Sequence, residues 1–148
     1  MDSSLVMIGL TNVLSFNNIA CILGGTLLGL FVGAMPGLSA TMALALLLPL
    51  TFSFDPATGL SMLASLYVGA SYGGSIAAIL LRTPGTPSAA ATVLDGFPLS
   101  QQGKAGQALG ISLFASFFGG LMSGIALLTA APLLGTLVLE FGPVELFA

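Results

Sequence analysis

Charge is what this 148-residue chain has least of: five acids and two bases, 5% of its residues, for a formal charge of −3. A soluble domain carries roughly 25% charged residues. Seven charged side chains cannot clothe a solvated surface, so lipid or other protein must cover most of the chain. Histidine is absent and there is one cysteine. Ser-His-Asp and Cys-His chemistry are therefore excluded within the chain, and it offers no ligand set for zinc, haem or iron–sulfur clusters. No enzyme activity and no cofactor is expected. The few charges are scattered, without the basic run that nucleic acid or an anionic lipid patch requires. The start, Met1-Asp2-Ser3-Ser4, lacks the basic region of a secretory signal, and no A-x-A cleavage pattern follows.

What is present is apolar. Hydrophobic residues make up 56% before the 20 glycines are counted, and mean hydropathy is +1.11. The expected fold is an all-α membrane protein, a polytopic helical bundle with Pro-Gly-broken helices, with residues 1–148 in a single polytopic domain. The end, Phe141-Gly142-Pro143-Val144-Glu145-Leu146-Phe147-Ala148, stops in mid-pattern, so a fragment or one piece of a larger assembly is expected.

Residues 1–18 read as an interfacial helix over 5–16, with Asn17-Asn18 as a cap before the first long apolar run at 19–35. Residues 19–54 form a pair of short helices broken at 36–38. Two arrangements fit: two full crossings, or a re-entrant hairpin whose tip stops near mid-membrane. The tip carries Ser39 and Thr41 and no charge, which favours the hairpin. Asp55-Pro56 is a strong helix start, and the helix runs to Leu81, with Arg82 ending it. Within 56–95 a broken segment follows, then a short helix over 87–94 with Asp95-Gly96 as its stop. The polar stretch 97–103 reads as a surface loop. The 104–148 region is a transmembrane helix region, kinked or divided at Pro132 and Gly135. Arg82 and Lys104 flank the same segment, which places that side in the cytoplasm. Cys21 sits in an apolar run and packs as a small hydrophobe.

Gly25, Gly29, Gly33 and Gly37 recur every four residues, so one helix face is bare backbone, open to a second helix. That pattern speaks of tight packing, not of a ligand. The two Pro-Gly interruptions differ. Met35-Pro36-Gly37-Leu38-Ser39-Ala40-Thr41 and Thr83-Pro84-Gly85-Thr86-Pro87-Ser88 free backbone groups that lipid cannot satisfy. A helix N-terminus follows each, and such ends hold carboxylates without a lysine. Freed carbonyls can hold Na⁺. One such break is as well explained by a sealed kink; two, both rich in hydroxyls, favour a site. The candidate substrate-binding residues are Ser39, Thr41, Gly73, Gly74, Ser75, Thr83, Gly85 and Thr86, and the candidate ion-binding residues are Gly37, Ser39 and Gly85. Ser71-Tyr72-Gly73-Gly74-Ser75 is either a third flexible point or a tight contact with Tyr72 hydrogen-bonded to a neighbour. Arg82 reads more readily as snorkelling or pairing with Asp95 than as a carboxylate contact. The two breaks also echo one another weakly, Pro36-Gly37-Leu38-Ser39-Ala40-Thr41 against Pro84-Gly85-Thr86-Pro87-Ser88-Ala89.

Several unusual strings then agree together. Gly33-Ala34-Met35-Pro36-Gly37-Leu38-Ser39-Ala40-Thr41-Met42-Ala43, followed by Leu48-Pro49-Leu50-Thr51-Phe52, resembles the first signature of the large membrane subunit of tripartite tricarboxylate transporters. Tyr72-Gly73-Gly74-Ser75-Ile76, Thr83-Pro84-Gly85-Thr86-Pro87-Ser88, Asp95-Gly96-Phe97-Pro98 and Gly103-Lys104-Ala105-Gly106-Gln107-Ala108-Leu109-Gly110 are similar to the next ones, in order. The resemblance implies a secondary transporter of the bacterial inner membrane. It implies uptake of a small carboxylate from a periplasmic solute-binding protein, a smaller membrane subunit as partner, and coupling to Na⁺ or H⁺. Family members are much longer, so the chain corresponds to their N-terminal portion. The competing class is a non-transporting membrane scaffold, in which breaks and glycines only pack partner subunits.

Overall fold

The computed structural model describes residue 9 and residues 11–140, with side chains to residue 131. Residues 1–8 and 10 of the interfacial segment expected over 1–18, and the string after Glu140, lie outside the described residues; 11–13 are helical. The long elements are α1 (Phe16–Ala34), α2 (Ala40–Thr51), α3 (Pro56–Leu81), α4 (Ala90–Leu99) and α5 (Ala105–Glu140). A 3-10 turn, Pro87–Ala89, precedes α4, and a wide π-type turn, Ser100–Lys104, precedes α5. No strand occurs among the described residues. Three helical stretches, Phe16–Ala34, Pro56–Leu81 and Pro87–Ala131, are long and apolar enough to cross a membrane. The chain is an all-α polytopic membrane protein.

Local chemistry sets the helix starts. Ser15 accepts the Asn18 amide at 3.4 Å and begins α1. Ser39 accepts the Met42 amide at 3.1 Å and begins α2. Asp55 accepts both the Thr58 amide, at 3.2 Å, and the Thr58 hydroxyl, at 2.6 Å, and Pro56 follows at the first helical position. The cap expected at Asn17-Asn18 is thus made two residues earlier. Asn18 instead falls on the buried face of α1, where it is 3% exposed. Its amide nitrogen donates to the Asn12 carbonyl at 2.6 Å, and its Oδ1 has no partner among the described residues.

The first of two units, Met1–Ser112, contains α1 to α4. Its centre is the seam between α1 and α3. Gly25 faces Met62 and Ser65, Gly29 faces Leu66 and Ala70, and Gly33 faces Ala70; from the other side Gly69 faces Thr26 and Gly73 faces Leu30 and Ala34. Both sets of numbers rise together, so the helices run parallel. A Cβ placed on Gly29 would fall on the Leu66 carbonyl and lie 2.8 Å from the Ala70 nitrogen. In lipid no hydrophobic force draws helices together, so dispersion at bare backbone does it. Large apolar side chains such as Leu27 and Phe31 are left outside, 67% and 70% exposed, as a lipid-facing surface requires.

α2 returns antiparallel along α3: Thr51 lies against Gly59, while Thr41 and Tyr67 line the same groove. The two arms of the 19–54 hairpin pack on α3 far more than on each other. α3 remains helical through residues 71–75. Tyr72 donates to the Leu109 carbonyl at 3.3 Å, the neighbour contact that a tightly packed reading requires.

Beyond Pro87 the chain stays helical where the sequence reads as a stop. α4 passes through Asp95-Gly96 and Pro98 to Leu99. Gly96 is buried against Ile79, whose Cγ1 lies 2.7 Å from where a Cβ would stand. It is there for close approach, not for a left-handed cap. The expected 97–103 loop is the end of α4 and the wide turn, in which Gly103 takes φ +76°. α5 is one helix, undivided at Pro132 and Gly135. The second unit, Leu113–Ala148, holds the rest of α5, to Glu140. Its large apolar side chains, from Leu113 to Leu128, are exposed on all sides, the pattern of a helix in lipid or among partners.

Gly29→Ala should destabilise the seam by about 1–3 kcal/mol, as overpacking does. Gly24→Ala, which meets nothing within 4 Å, should be neutral or slightly stabilising; thermal unfolding of the detergent-solubilised protein compares them. The Thr58 hydroxyl and then its amide hold the Asp55 carboxyl below the usual carboxylate range. A depressed carboxyl pKa contributes stability above the unfolded value and loses it as pH falls through the folded one. Asp55→Ala should therefore lower the melting temperature at neutral pH by a margin that closes in acid, while Asp55→Asn keeps the cap at every pH.

Candidate functional site

Three strings singled out in the sequence meet at one level of the bundle. α1 ends at Ala34, beside Gly73. The chain breaks there, with Gly37 at φ +98°, a conformation that side chains with a Cβ rarely adopt. From the opposite direction, α3 ends at Leu81 and Arg82 turns the chain with φ 59°. Residues 82–86 then fold back, so that Gly85 lies on the Gly33 carbonyl and Thr86 on Gly74. The Gly85 amide points at the Gly74 carbonyl at 3.5 Å. A Cβ at Gly85 would stand 3.0 Å from the Gly74 Cα, and one at Gly74 would stand 2.6 Å from the Thr86 Oγ1. Gly33, Gly74 and Gly85 thus form a junction of backbone on backbone.

The fold-back is deep. Gly74 precedes the end of α3 by seven residues, about 10 Å at 1.5 Å per residue. Four extended residues cover that distance.

The junction brings together Gly73, Gly74, Gly85 and Thr86 of the expected site residues. Thr86 is 6% exposed and its hydroxyl pairs with that of Ser88 at 3.1 Å. It begins the 87–99 helical stretch without capping it by its side chain. Other expected residues lie differently. Ser39 is exposed, with its hydroxyl engaged as the α2 cap. Thr41 turns into the α2–α3 groove beside Leu44, Leu48, Leu63 and Tyr67, a cavity of about 560 Å³ with almost no polar wall. Thr83 is exposed. The Ser75 hydroxyl points back at the Ser71 carbonyl of its own helix, at 3.5 Å. Gly37 is open to its surroundings. Gly33 was read only as part of the packing stripe. Its role as the floor under Gly85 leaves no mark in the sequence except the four-residue spacing.

Electrostatically, the junction joins opposite helix ends. The carbonyl end of α1 carries partial negative charge, and the start of the 87–99 stretch and of α2 carry partial positive charge. No group of three His, Cys, Asp or Glu side chains gathers among the described residues. The junction itself offers hydroxyls, carbonyls and amides. Such groups bind ions and oxyanions.

Arg82 rests its guanidinium on the Phe97 ring, 5.6 Å from the centroid. The expected pairing with Asp95 is not formed.

A curated relative, an uncharacterized 52.8 kDa protein of the TAR-I ttuC' 3' region of Agrobacterium vitis, is 45% identical over 141 residues, covering 95% of this chain and 28% of that protein. The chain therefore spans less than a third of the length of the relative it matches. No solved structure matches it. The model of the tripartite tricarboxylate transporter TctA family matches residues 19–148. That match takes in both Pro-Gly breaks, the Ser71–Ser75 string and every candidate site residue, and the chain belongs to the TctA family.

Proposed function

We propose that the chain is the N-terminal part of the membrane-embedded transport subunit of a secondary importer of small carboxylates in the bacterial inner membrane. In this reading a periplasmic binding protein delivers the acid, a small membrane subunit completes the assembly, and an Na⁺ or H⁺ gradient drives uptake. Family membership supports the class of substrate and the tripartite assembly. The observation that carries the reading is the convergence of two interrupted backbones at Gly33, Gly74 and Gly85.

Depth is the physical reason. α3 has 26 residues and is about 39 Å long, against a hydrocarbon core of about 30 Å. Centred in the membrane, it holds Gly74 roughly 7 Å inside the core on the Arg82 side. α2, with 12 residues, reaches only about 18 Å. The α1–α2 break then forms a re-entrant tip from the outer side and residues 82–86 form one from the cytoplasmic side. Interrupted backbone at that depth is tolerated beside protein or a wet cavity. Gly37, Ser39 and Gly85 supply carbonyls and a hydroxyl for the coupling ion. Gly73, Gly74, Thr83, Gly85 and Thr86, with Ser39, Thr41 and Ser75 on the flanking helices, line the path of the carboxylate. A scaffold that only packs partners has no need for two uncharged hydroxyl-bearing tips at one level.

In the assembled transporter, Gly85→Val and Gly37→Val should each abolish uptake of radiolabelled citrate while membrane insertion is kept. Single cysteines at Thr86 and Ser39 should be protected from thiol reagents by the acid. Unchanged uptake in both valine variants, or no protection at either cysteine, overturns the reading in favour of the scaffold.

A further inference from the structure

The chain has two basic side chains, and one of them sits where the re-entrant segment begins. We propose that Arg82 is a second, shallower docking point for the transported acid, binding one of its carboxylates at the cytoplasmic mouth of residues 83–86. The inference rests on the carboxylate-import reading above.

Arg82 closes α3 in a left-handed conformation, φ 59° and ψ 17°, and is the one described non-glycine residue with positive φ. Glycine is the usual occupant of such a helix end, because a Cβ crowds the following carbonyl. The position thus keeps a long cationic side chain against backbone preference. That side chain reaches from the end of α3 to Phe97 on α4, bridging the two limbs that enclose the segment. The ring face attracts the cation without using any of its N–H donors as a salt bridge would. The guanidinium's five N–H donors lie in one plane, a fork that holds a carboxylate by two parallel hydrogen bonds. Arg82 is exposed and ion-paired with no carboxylate among the described residues. The contact with Phe97 thus holds beside α4 a cationic fork whose natural ligand is an oxyanion.

The fork lies at the end of α3, one step of about 10 Å from the Gly74 level. An acid leaving the junction on that side meets it next. A lysine at the same place keeps the charge but not the paired donors of the fork. A lipid phosphate shares the ligand chemistry, and the experiment separates the two sources.

The test uses the complete transporter in proteoliposomes, with citrate as the probe. Arg82→Gln should raise KM for uptake about tenfold, the loss of one charge-assisted contact, at unchanged protein level. Arg82→Lys should recover part of the loss, Phe97→Leu should raise KM by a smaller factor, and Lys104→Gln should leave it unchanged. In Arg82→Cys, coupling to a cationic aminoethyl thiosulfonate should lower KM again, whereas the neutral methyl reagent should not. A KM unmoved in Arg82→Gln, with a melting temperature that instead drops and follows lipid headgroup composition, assigns the fork to lipid phosphate and overturns the proposal. Equal rescue by the neutral reagent makes Arg82 a spacer and overturns it too. If Gly85→Val abolishes uptake while Arg82→Gln does not change KM, this inference fails and the transport reading stands. If Gly85→Val and Gly37→Val leave uptake intact, the transport reading fails first.

Discussion

Everything in the first unit hangs on how closely two parallel helices can approach. α1 and α3 meet with backbone against backbone, Gly25, Gly29 and Gly33 from one side and Gly69 and Gly73 from the other. A single methyl group anywhere along that line displaces a main-chain atom. The seam fixes the level at which α1 must stop, because the next glycines on α3, Gly73 and Gly74, are already occupied by Ala34 and by Thr86. Close packing thereby positions the break that follows. Parallel helices also need a connection that returns, and α2 with its 12 residues is that return, seated on α3 and hardly on α1.

The caps and the apolar lengths were legible, because they are local. Asp55-Pro56 can be read from two residues, and the helix bounds 56 and 81 follow from it and from Arg82. The interruptions at 35–39 and 82–86 were legible for the same reason, since proline and glycine act on their own backbone. Partners were not legible. Gly96 looks like a helix stop until Ile79 is seen beside it, and nothing in the sequence tells that Thr41 faces the α3 groove. Asn18 reads as a cap because Ser15, three residues earlier, is an equally good one, and only packing decides between them. A single chain carries periodicity but not the identity of the neighbour that each face meets. That the two breaks share a level is a product of the α1–α3 register, which depends on which glycine opposes which carbonyl.

The asymmetry between the two tips bears on how a transport cycle can work. The tip at 35–39 enters along α1 and leaves along α2; the tip at 82–86 enters from the opposite end of α3 and leaves along α4. They touch through the Gly33 carbonyl and Gly85, with a long 3.5 Å amide contact from Gly85 to Gly74. In the proposed cycle, the two tips part at this contact while each stays held to its own helices. On the proposed reading, withdrawing the inner tip opens a path toward Arg82 while the outer tip remains sealed against Gly73, and the reverse motion opens the other side. Alternating access then requires only that the two tips never withdraw together, and the shared glycine floor on α3 is the element that both must leave or reoccupy in turn.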